Sequence, residues 1–213
     1  MDGEIGTSSS VRIGTLEARK ANITRETGET QISVDINLDG TGDYRIKTGN
    51  GMFDHLLAQL SRHGLIDLEI SAHGDTEVGW HHLVEDTAIS LGRALKDAVG
   101  DALGITRTAH SYVPLDETLA FVAIDLSGRG YAMVDAQLGD TDLGGLSGSL
   151  VHHFLETFAL EGKFNLHVRL LSGANNHHKA EAIFKALARA LRAASEHDER
   201  RMGGVPSTKG VIG

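Results

Sequence analysis

Two short motifs of the form His-His-x-x-Glu are the part of this sequence best suited to chemistry. The first begins at His81 and ends at Glu85, and the second begins at His177 and ends at Glu181. In a helix, residues four positions apart lie on one face, so the first histidine and the glutamate of each motif can chelate one metal ion. The second histidine is rotated by about 100° and cannot easily serve that ion. Imidazole and carboxylate donors together suit Mn, Fe, Ni or Zn.

The two motifs belong to a longer repeat. Residues 81–98 and 177–194 are identical at 8 of 18 aligned positions. A matching histidine precedes each motif, His55 by 26 residues and His153 by 24 residues. Two amphipathic helices can share leucine and alanine by chance. Chance does not supply a His-His-x-x-Glu motif at the start of both helices together with a matching upstream histidine. We therefore expect an internal duplication, with halves at about 15–110 and 111–213 packed as a pseudo-symmetric pair.

This duplication predicts two metal sites. Each site would combine one chelating pair with the second histidine of the other half, which is His82 or His178, and His55 and His153 would supply the fourth ligands. A single histidine pair on a helix is more commonly structural, whereas two such motifs in duplicated halves favour metal ligation. The residue order also differs from the HExxH motif of zinc proteases, in which the glutamate acts as a general base.

A second group of candidates has the composition of an anion site. Its members lie in loop-like sequence beside glycine, where the backbone can approach a ligand closely: Arg107, Arg129, Ser207, Thr208 and Lys209. Arginine and lysine with hydroxyl donors suit a phosphate. Each residue alone is more commonly solvated surface. The segment 206–210 is not a P-loop, because its residue order is wrong and no helix can follow it.

Polar residues also continue the helical faces that carry the predicted ligands. Gln59 and His63 follow His55 at intervals of four and eight residues, and Lys185 follows Glu181 at an interval of four. Residues at these intervals share one helix face. We expect these faces to line a groove for substrate.

The periodicity of the chain predicts the elements that position these residues. Alternation of apolar and polar residues predicts strands at 31–38, 65–71, 119–126, 131–138 and 164–171. Helical spacing predicts helices at 52–62, 81–99, 150–160 and 177–194. The mixture indicates an α+β fold, a layered sandwich of sheet and helix. We expect a loose tail at 1–14 and a single catalytic domain at 15–213 that contains both repeats.

Composition excludes several classes of protein. The chain has 213 residues, of which 40% are hydrophobic, a net charge of −9 and no cysteine. Without cysteine there is no disulfide, thiolate nucleophile or cysteine-bound metal. The acidic balance argues against binding to nucleic acid, and no apolar stretch approaches the ~18 residues of a membrane helix. We expect a cytoplasmic protein with neither a nucleic acid nor a membrane as partner.

Nine segments, in this order along the chain, carry a family resemblance that spans about residues 15–212. They are Thr24-Arg25-Glu26-Thr27, Phe53-Asp54-His55-Leu56-Leu57, Arg62-His63-Gly64-Leu65, His81-His82-Leu83-Val84-Glu85-Asp86, Pro114-Leu115-Asp116-Glu117, Asp125-Leu126-Ser127-Gly128-Arg129, Asn175-Asn176-His177-His178, Glu181-Ala182-Ile183-Phe184-Lys185 and Pro206-Ser207-Thr208-Lys209-Gly210. With these segments the sequence resembles the imidazoleglycerol-phosphate dehydratases, which are lyases of histidine biosynthesis. The resemblance implies removal of water from imidazoleglycerol phosphate to give imidazoleacetol phosphate.

The resemblance also implies cofactors, contacts and partners. Two Mn²⁺ ions are implied for each active site, one held by His55, His82, His177 and Glu181 and the other by His81, Glu85, His153 and His178. Implied substrate contacts are Glu26, Gln59, His63, Arg107, Arg129, Lys185, Ser207 and Lys209, and the adjacent Thr208 is taken with them. Glu26 is the candidate for the catalytic proton carrier. The implied homo-oligomer has 24 subunits, with active sites between subunits.

Two other functions are compatible with the chemistry of these residues alone. A dinuclear-metal phosphoesterase would use the same metals and cationic side chains, but it would release inorganic phosphate. A non-enzymatic metal-storage shell would have no need of Arg107, Arg129 and Lys209.

Overall fold

A computed structural model describes residues 19–201 and 203–212. The predicted tail at 1–14 lies outside the described residues. The first half contains β1 (Lys20–Glu26), β2 (Thr30–Asn37), β3 (Tyr44–Lys47), α1 (Gly51–Gly64), β4 (Asp67–Gly74) and α2 (His81–Val99). The second half contains β5 (Thr108–Leu115), β6 (Thr118–Asp125), β7 (Tyr131–Asp135), α3 (Gly148–Glu161), β8 (Asn165–Ser172) and α4 (Asn176–Ser195).

The two halves have the same topology. The first sheet has the strand order β1-β2-β4-β3 and the second has β5-β6-β8-β7. In each sheet the first three strands pair antiparallel and the last strand is parallel to its neighbour. The predicted α+β class and internal duplication are therefore confirmed.

The four helices lie between the two sheets. Strict alternation places one face of each central strand in the core, including Val34 of β2 and Val122 of β6, both fully buried. α1 packs against α4, and α2 packs against α3, so each helix pair joins the two halves. Phe154 of α3 lies 5.5 Å from both Phe53 of α1 and Phe184 of α4, measured between ring centroids. One hydrophobic core therefore holds the helices of both halves in fixed relative positions.

The starts of the helices differ in how they are capped. The Asn175 side chain accepts hydrogen bonds from the backbone N–H groups of His177 and His178, which fixes the first turn of α4. The Asn50 side chain caps α1 in the same way. α2 begins after Trp80 without a side-chain cap. In the described ranges, 19–201 and 203–212, no helix is long and apolar enough to cross a membrane.

Three strands carry too little sequence signal to be predicted, and all three are short or lie at a sheet edge. β3 has only four residues, and β5 contains Pro114, which an edge strand tolerates because one of its sides has no ladder partner. In β1 an inward position is occupied by Arg25, whose Nε donates to Asp86 on α2 at 2.8 Å. A charged residue at an inward position hides the alternation. The predicted strand at 131–138 ends earlier, at Asp135.

Candidate metal centre

The first cluster of possible metal ligands combines α1 with α4. His55 Nε2 lies 3.1 Å from Glu181 Oε2, and His177 Nε2 lies 3.2 Å from the same oxygen. The two imidazole rings are stacked, with centroids 5.6 Å apart. One donor atom from each residue therefore faces a common point, and all three lie within 4.8 Å of one another. His177 and Glu181 lie on one face of α4, as their spacing of four residues predicts.

The second cluster combines α2 with α3 and repeats the first. His153 Nε2 lies 3.3 Å from Glu85 Oε1, and His81 Nε2 lies 4.0 Å from Glu85 Oε2. The rings of His81 and His153 are stacked, with centroids 4.9 Å apart. Each chelating pair thus receives a third ligand from a helix of the other half. The histidines that precede the two motifs, His55 and His153, thus each join one of the two clusters.

Neither His82 nor His178 belongs to these two clusters in the described chain. His82 Nδ1 lies 3.0 Å from Asp75 Oδ2 and 3.7 Å from Glu29 Oε2. His178 Nδ1 lies 2.9 Å from Glu117 Oε2. Hydrogen bonds to Asp75 and Glu117 raise the pKa of His82 and of His178, respectively. As expected, helical rotation separates the second histidine of each motif from the first. Within one chain, however, His82 and His178 do not join the cluster that contains the chelating pair of the other half.

Sequence reasoning missed the carboxylates that contact these two histidines. Glu117 had a signal, since it lies in one of the nine matching segments, but nothing in the sequence linked it to His178. Asp75 lies seven residues before His82, in the loop between β4 and α2, and has no recognisable motif. Both contacts depend on loop conformation, which apolar periodicity does not encode.

Glu181 lies at the centre of the first cluster, in contact with His55, His177 and Lys185. Burial raises its pKa, but hydrogen bonds from Lys185 and His55 outweigh burial and lower the pKa to about 2. The Lys185 ammonium lies 2.6 Å from Glu181 Oε1, while the other oxygen faces the histidines. Glu181 is therefore an ionised acceptor at neutral pH, the form that a metal ligand requires.

The predicted polar face of α1 extends away from this cluster. The Gln59 amide nitrogen lies 3.4 Å from His55 Nδ1, and the Gln59 amide oxygen lies 3.1 Å from His63 Nε2. Burial and the nearby positive charges of Lys185 and Arg189 lower the pKa of His63. His63 therefore favours its neutral form, which can both donate and accept a hydrogen bond. The structure thus brings Gln59, His63 and Lys185 into one neighbourhood.

The residues predicted to bind an anion line one cavity of about 320 Å³. It is formed by Arg107, Ser127, Arg129, Ser207, Thr208 and Lys209, with Pro206, Val211 and Ile212. The loop after β6 and the C-terminal segment meet there, so residues separated by a hundred positions converge. Cationic and hydroxyl groups around a small cavity can bind a phosphate.

Arg107 has partners in this cavity that the sequence did not reveal. Its Nε and Nη2 donate to the two carboxylate oxygens of Asp125 at 2.7 and 3.1 Å, and its Nη1 donates to the Pro206 carbonyl at 2.8 Å. The bond to Asp125 raises the pKa of Arg107. Arg107 also has φ of 75°, which is unusual for a residue with a Cβ. The guanidinium therefore fixes the C-terminal segment against β6.

Glu26 lies at the end of β1, outside both clusters. Its side chain is exposed, and its neighbour Arg25 bonds to Asp86, which follows Glu85 in α2. The second oxygen of Asp86, which is buried, accepts the Thr30 hydroxyl. This network holds the β1–β2 turn against the start of α2 and thereby fixes the position of Glu26.

The donor chemistry of both clusters fits a divalent metal ion. Each cluster presents two imidazoles and one carboxylate, a mixed set of nitrogen and oxygen donors that suits divalent transition-metal ions. Three donors leave coordination positions open for a further protein ligand and for substrate. The two clusters together could therefore bind two ions.

Comparisons with known proteins agree with this arrangement. Residues 48–191 match the model of the family described as imidazoleglycerol-phosphate dehydratase. A protein of that name from Dehalococcoides mccartyi strain CBDB1 is 56% identical over 194 residues, which cover 91% of this chain and 97% of the relative.

Two solved structures share the fold. The imidazoleglycerol-phosphate dehydratase of Staphylococcus aureus superposes with a TM-score of 0.76 at 34% identity, covering 84% of this chain and 99% of the other. IGPD from Pyrococcus furiosus gives a TM-score of 0.76 at 36% identity, covering 89% of this chain and all of the other. With the family match over most of the chain and the two histidine–carboxylate clusters, this chain belongs to the imidazoleglycerol-phosphate dehydratase family.

Proposed function

We propose that the two clusters are the metal sites of a hydro-lyase that converts imidazoleglycerol phosphate to imidazoleacetol phosphate in histidine biosynthesis. The family assignment supports the reaction, and the paired clusters fit the metal dependence of the family. The observation that carries the proposal is that each chelating pair receives a histidine from the other half, His55 at 3.1 Å from Glu181 and His153 at 3.3 Å from Glu85.

The proposed metal is Mn²⁺, with two ions for each active site. The first cluster, His55, His177 and Glu181, would take His82 as its fourth ligand, and the second cluster, His81, Glu85 and His153, would take His178. Since His82 and His178 face away from the clusters of their own chain, we propose that another copy supplies them. This arrangement accounts for active sites between subunits in a homo-oligomer, for which we expect 24 copies in the cytoplasm.

The chemical difficulty of the reaction explains the need for metal. The proton to be removed lies on a carbon that has no neighbouring carbonyl, so a side-chain base alone cannot take it. When bound, the metal ions supply Lewis acidity to the nitrogens of the substrate's imidazole ring. Gln59, His63 and Lys185 lie beside the first cluster and would orient the substrate there.

The remaining groups have separate roles in binding and proton transfer. Arg107, Arg129, Ser207 and Lys209, with Thr208, would bind the phosphate in the cavity of about 320 Å³. Glu26 would carry the proton between the carbon and the departing hydroxyl. A carboxylate is suited to this because it can both accept and return a proton.

One assay tests this function against the alternative of a phosphoesterase. Metal-free protein is incubated with imidazoleglycerol phosphate, with and without Mn²⁺, and both the keto product and inorganic phosphate are measured. The proposal expects product that retains its phosphate and appears only when metal is added. Release of inorganic phosphate, or turnover at the full rate without metal, would contradict it.

A further inference from the structure

We propose that Glu117 and Asp75 are positioning residues, which hold the imidazoles of His178 and His82 with Nε2 free to bind a metal ion of another copy. The inference rests on the proposed metal function and adds to it two side chains that contact no metal. It follows from the hydrogen bonds of the two histidines that lie outside the clusters.

Glu117 uses its two carboxylate oxygens for different partners. Oε1 accepts the backbone N–H groups of Ala174 and Asn175 at 3.0 and 2.8 Å, and Oε2 lies 2.9 Å from His178 Nδ1. The β5–β6 turn is thereby bonded to the loop that precedes α4. Asn175 in turn caps α4 through the N–H groups of its first residues. The orientation of His178 is therefore fixed both by its own helix and by Glu117.

The protonation of the ring follows from this contact. An ionised carboxylate can only accept, so the proton of a neutral His178 must lie on Nδ1. The lone pair is then on Nε2, at the opposite edge of the ring, where Asp116 Oδ2 lies 3.9 Å away, beyond hydrogen-bonding distance. A histidine that ligates a metal through Nε2 usually donates Nδ1–H to a carboxylate, carbonyl or water in this way. The contact between Glu117 and His178 Nδ1 favours this tautomer before any metal binds.

Asp75 has the same relationship with His82, but without the backbone anchor. Both of its oxygens lie near His82 Nδ1, at 3.2 and 3.0 Å. In the described part of the chain the Asp75 carboxylate has no other hydrogen bond. Glu29, in the β1–β2 turn, lies 3.7 Å from the same nitrogen. Its position in the first half corresponds to that of Glu117, which lies in the β5–β6 turn of the second half. The two halves thus supply the carboxylate from different loops.

This difference predicts that one of two isosteric substitutions disturbs its histidine and the other does not. In Glu117→Gln, the two backbone N–H groups would retain the amide oxygen, so the NH₂ group would face His178 Nδ1. A donor at that position favours the other tautomer, with the proton on Nε2, where the metal must bind. In Asp75→Asn, the amide can turn its oxygen toward His82 and preserve the Nδ1–H tautomer.

The test is a titration of the metal-free, full-length protein with Mn²⁺, in which calorimetry measures the affinity of each site. Metal analysis after gel filtration then gives the amount of Mn²⁺ that stays bound. Glu117→Gln should weaken one of the two sites by about 10–100-fold, the range for loss of a partner of a metal-ligating histidine. Asp75→Asn should bind like the wild type. The control is Glu156→Gln, which changes a half-buried glutamate at 3.2 Å from His152, a histidine outside the clusters. It should leave both affinities unchanged.

A second pair of variants keeps the inference testable if Glu117→Gln fails to fold, as thermal melting would reveal. In a Glu29→Ala background, Asp75→Ala should weaken the other site by a similar factor, and Asp75→Asn should restore it. Equal Mn²⁺ affinity in the alanine and asparagine variants, or in wild type and folded Glu117→Gln, would overturn the inference. Failure of the wild type itself to bind Mn²⁺ would instead overturn the proposed function.

Discussion

His55 Nε2 lies 3.1 Å from Glu181 Oε2, although 126 residues separate them in the chain. The second half repeats this relationship in reverse, with His153 Nε2 at 3.3 Å from Glu85 Oε1 across 68 residues. Each of these two clusters needs side chains from both halves, whereas a third group of possible ligands, Glu29, Asp75 and His82, lies within the first half. Each cluster exists because α1 packs against α4 and α2 against α3. The duplication therefore produces these two clusters only when the two repeats pack against each other.

The anion cavity predicts the effect of removing one guanidinium. Arg129 is exposed and lines the cavity. Charge-assisted hydrogen bonds contribute about 1.5–3 kcal/mol each. A tenfold change in affinity corresponds to about 1.4 kcal/mol, so Arg129→Ala should raise KM more than tenfold. Steady-state kinetics measure this. The control is Arg45→Ala on β3, which removes an exposed ion pair with Glu69 and should leave KM unchanged. An unchanged KM in Arg129→Ala would place the phosphate elsewhere.

The role proposed for Glu26 predicts a separation of activity from metal binding. Glu26 lies in neither cluster, so Glu26→Gln should abolish turnover while the Mn²⁺ content stays at the wild-type level. Metal analysis and an activity assay on the same sample measure both quantities. Glu69→Gln, on an exposed strand face, should retain both. Substantial activity in Glu26→Gln would remove this residue from the proton-transfer role.

The sequence predicted the fold well where apolar periodicity is strong. The helix at 81–99 was predicted with its observed bounds, because its buried residues recur at helical spacing along its length. Three of the four edge strands, β1, β3 and β5, were missed because they bury few apolar side chains. In the site, the i, i+4 spacing placed His177 beside Glu181, and the repeat identified His55. The partners of His82 and Arg107 could not be predicted, because Asp75 lies in the loop between β4 and α2, and Asp125 meets Arg107 through the register of β5 and β6. Neither contact follows from a spacing in the sequence.

A half-buried carboxylate outside the site, that of Asp67, predicts a dependence of stability on pH. Burial raises the pKa of Asp67, but the backbone N–H groups of Thr41, Asp43 and Gly42 and the Asn37 amide outweigh burial and lower it. The ionised form is therefore favoured in the folded state. Its contribution to stability is present above the usual pKa of about 3.8 and is lost as the pH falls through the lower folded value.

Asp67→Asn should consequently lower the urea midpoint at about pH 5.5, and the difference from wild type should shrink by about half or more at about pH 3. Asp35→Asn, on the exposed face of the same sheet, controls for loss of a surface charge. A difference between Asp67→Asn and wild type that stays constant over this range would show that the carboxylate charge does not contribute.

The proposed sharing of ligands between copies predicts that metal and assembly are coupled. The two three-residue clusters form within one chain, but the complete ligand sets, which need His82 and His178 of other copies, do not. The free energy of metal binding should therefore appear partly as free energy of assembly. Removal of metal with a chelator should shift the large oligomer toward smaller species, and added Mn²⁺ should restore both mass and activity. Light scattering coupled to gel filtration measures the mass, and Mg²⁺ added in place of Mn²⁺ is the control. A demonstrably metal-free sample that keeps its full mass would show that assembly depends on the protein interfaces alone.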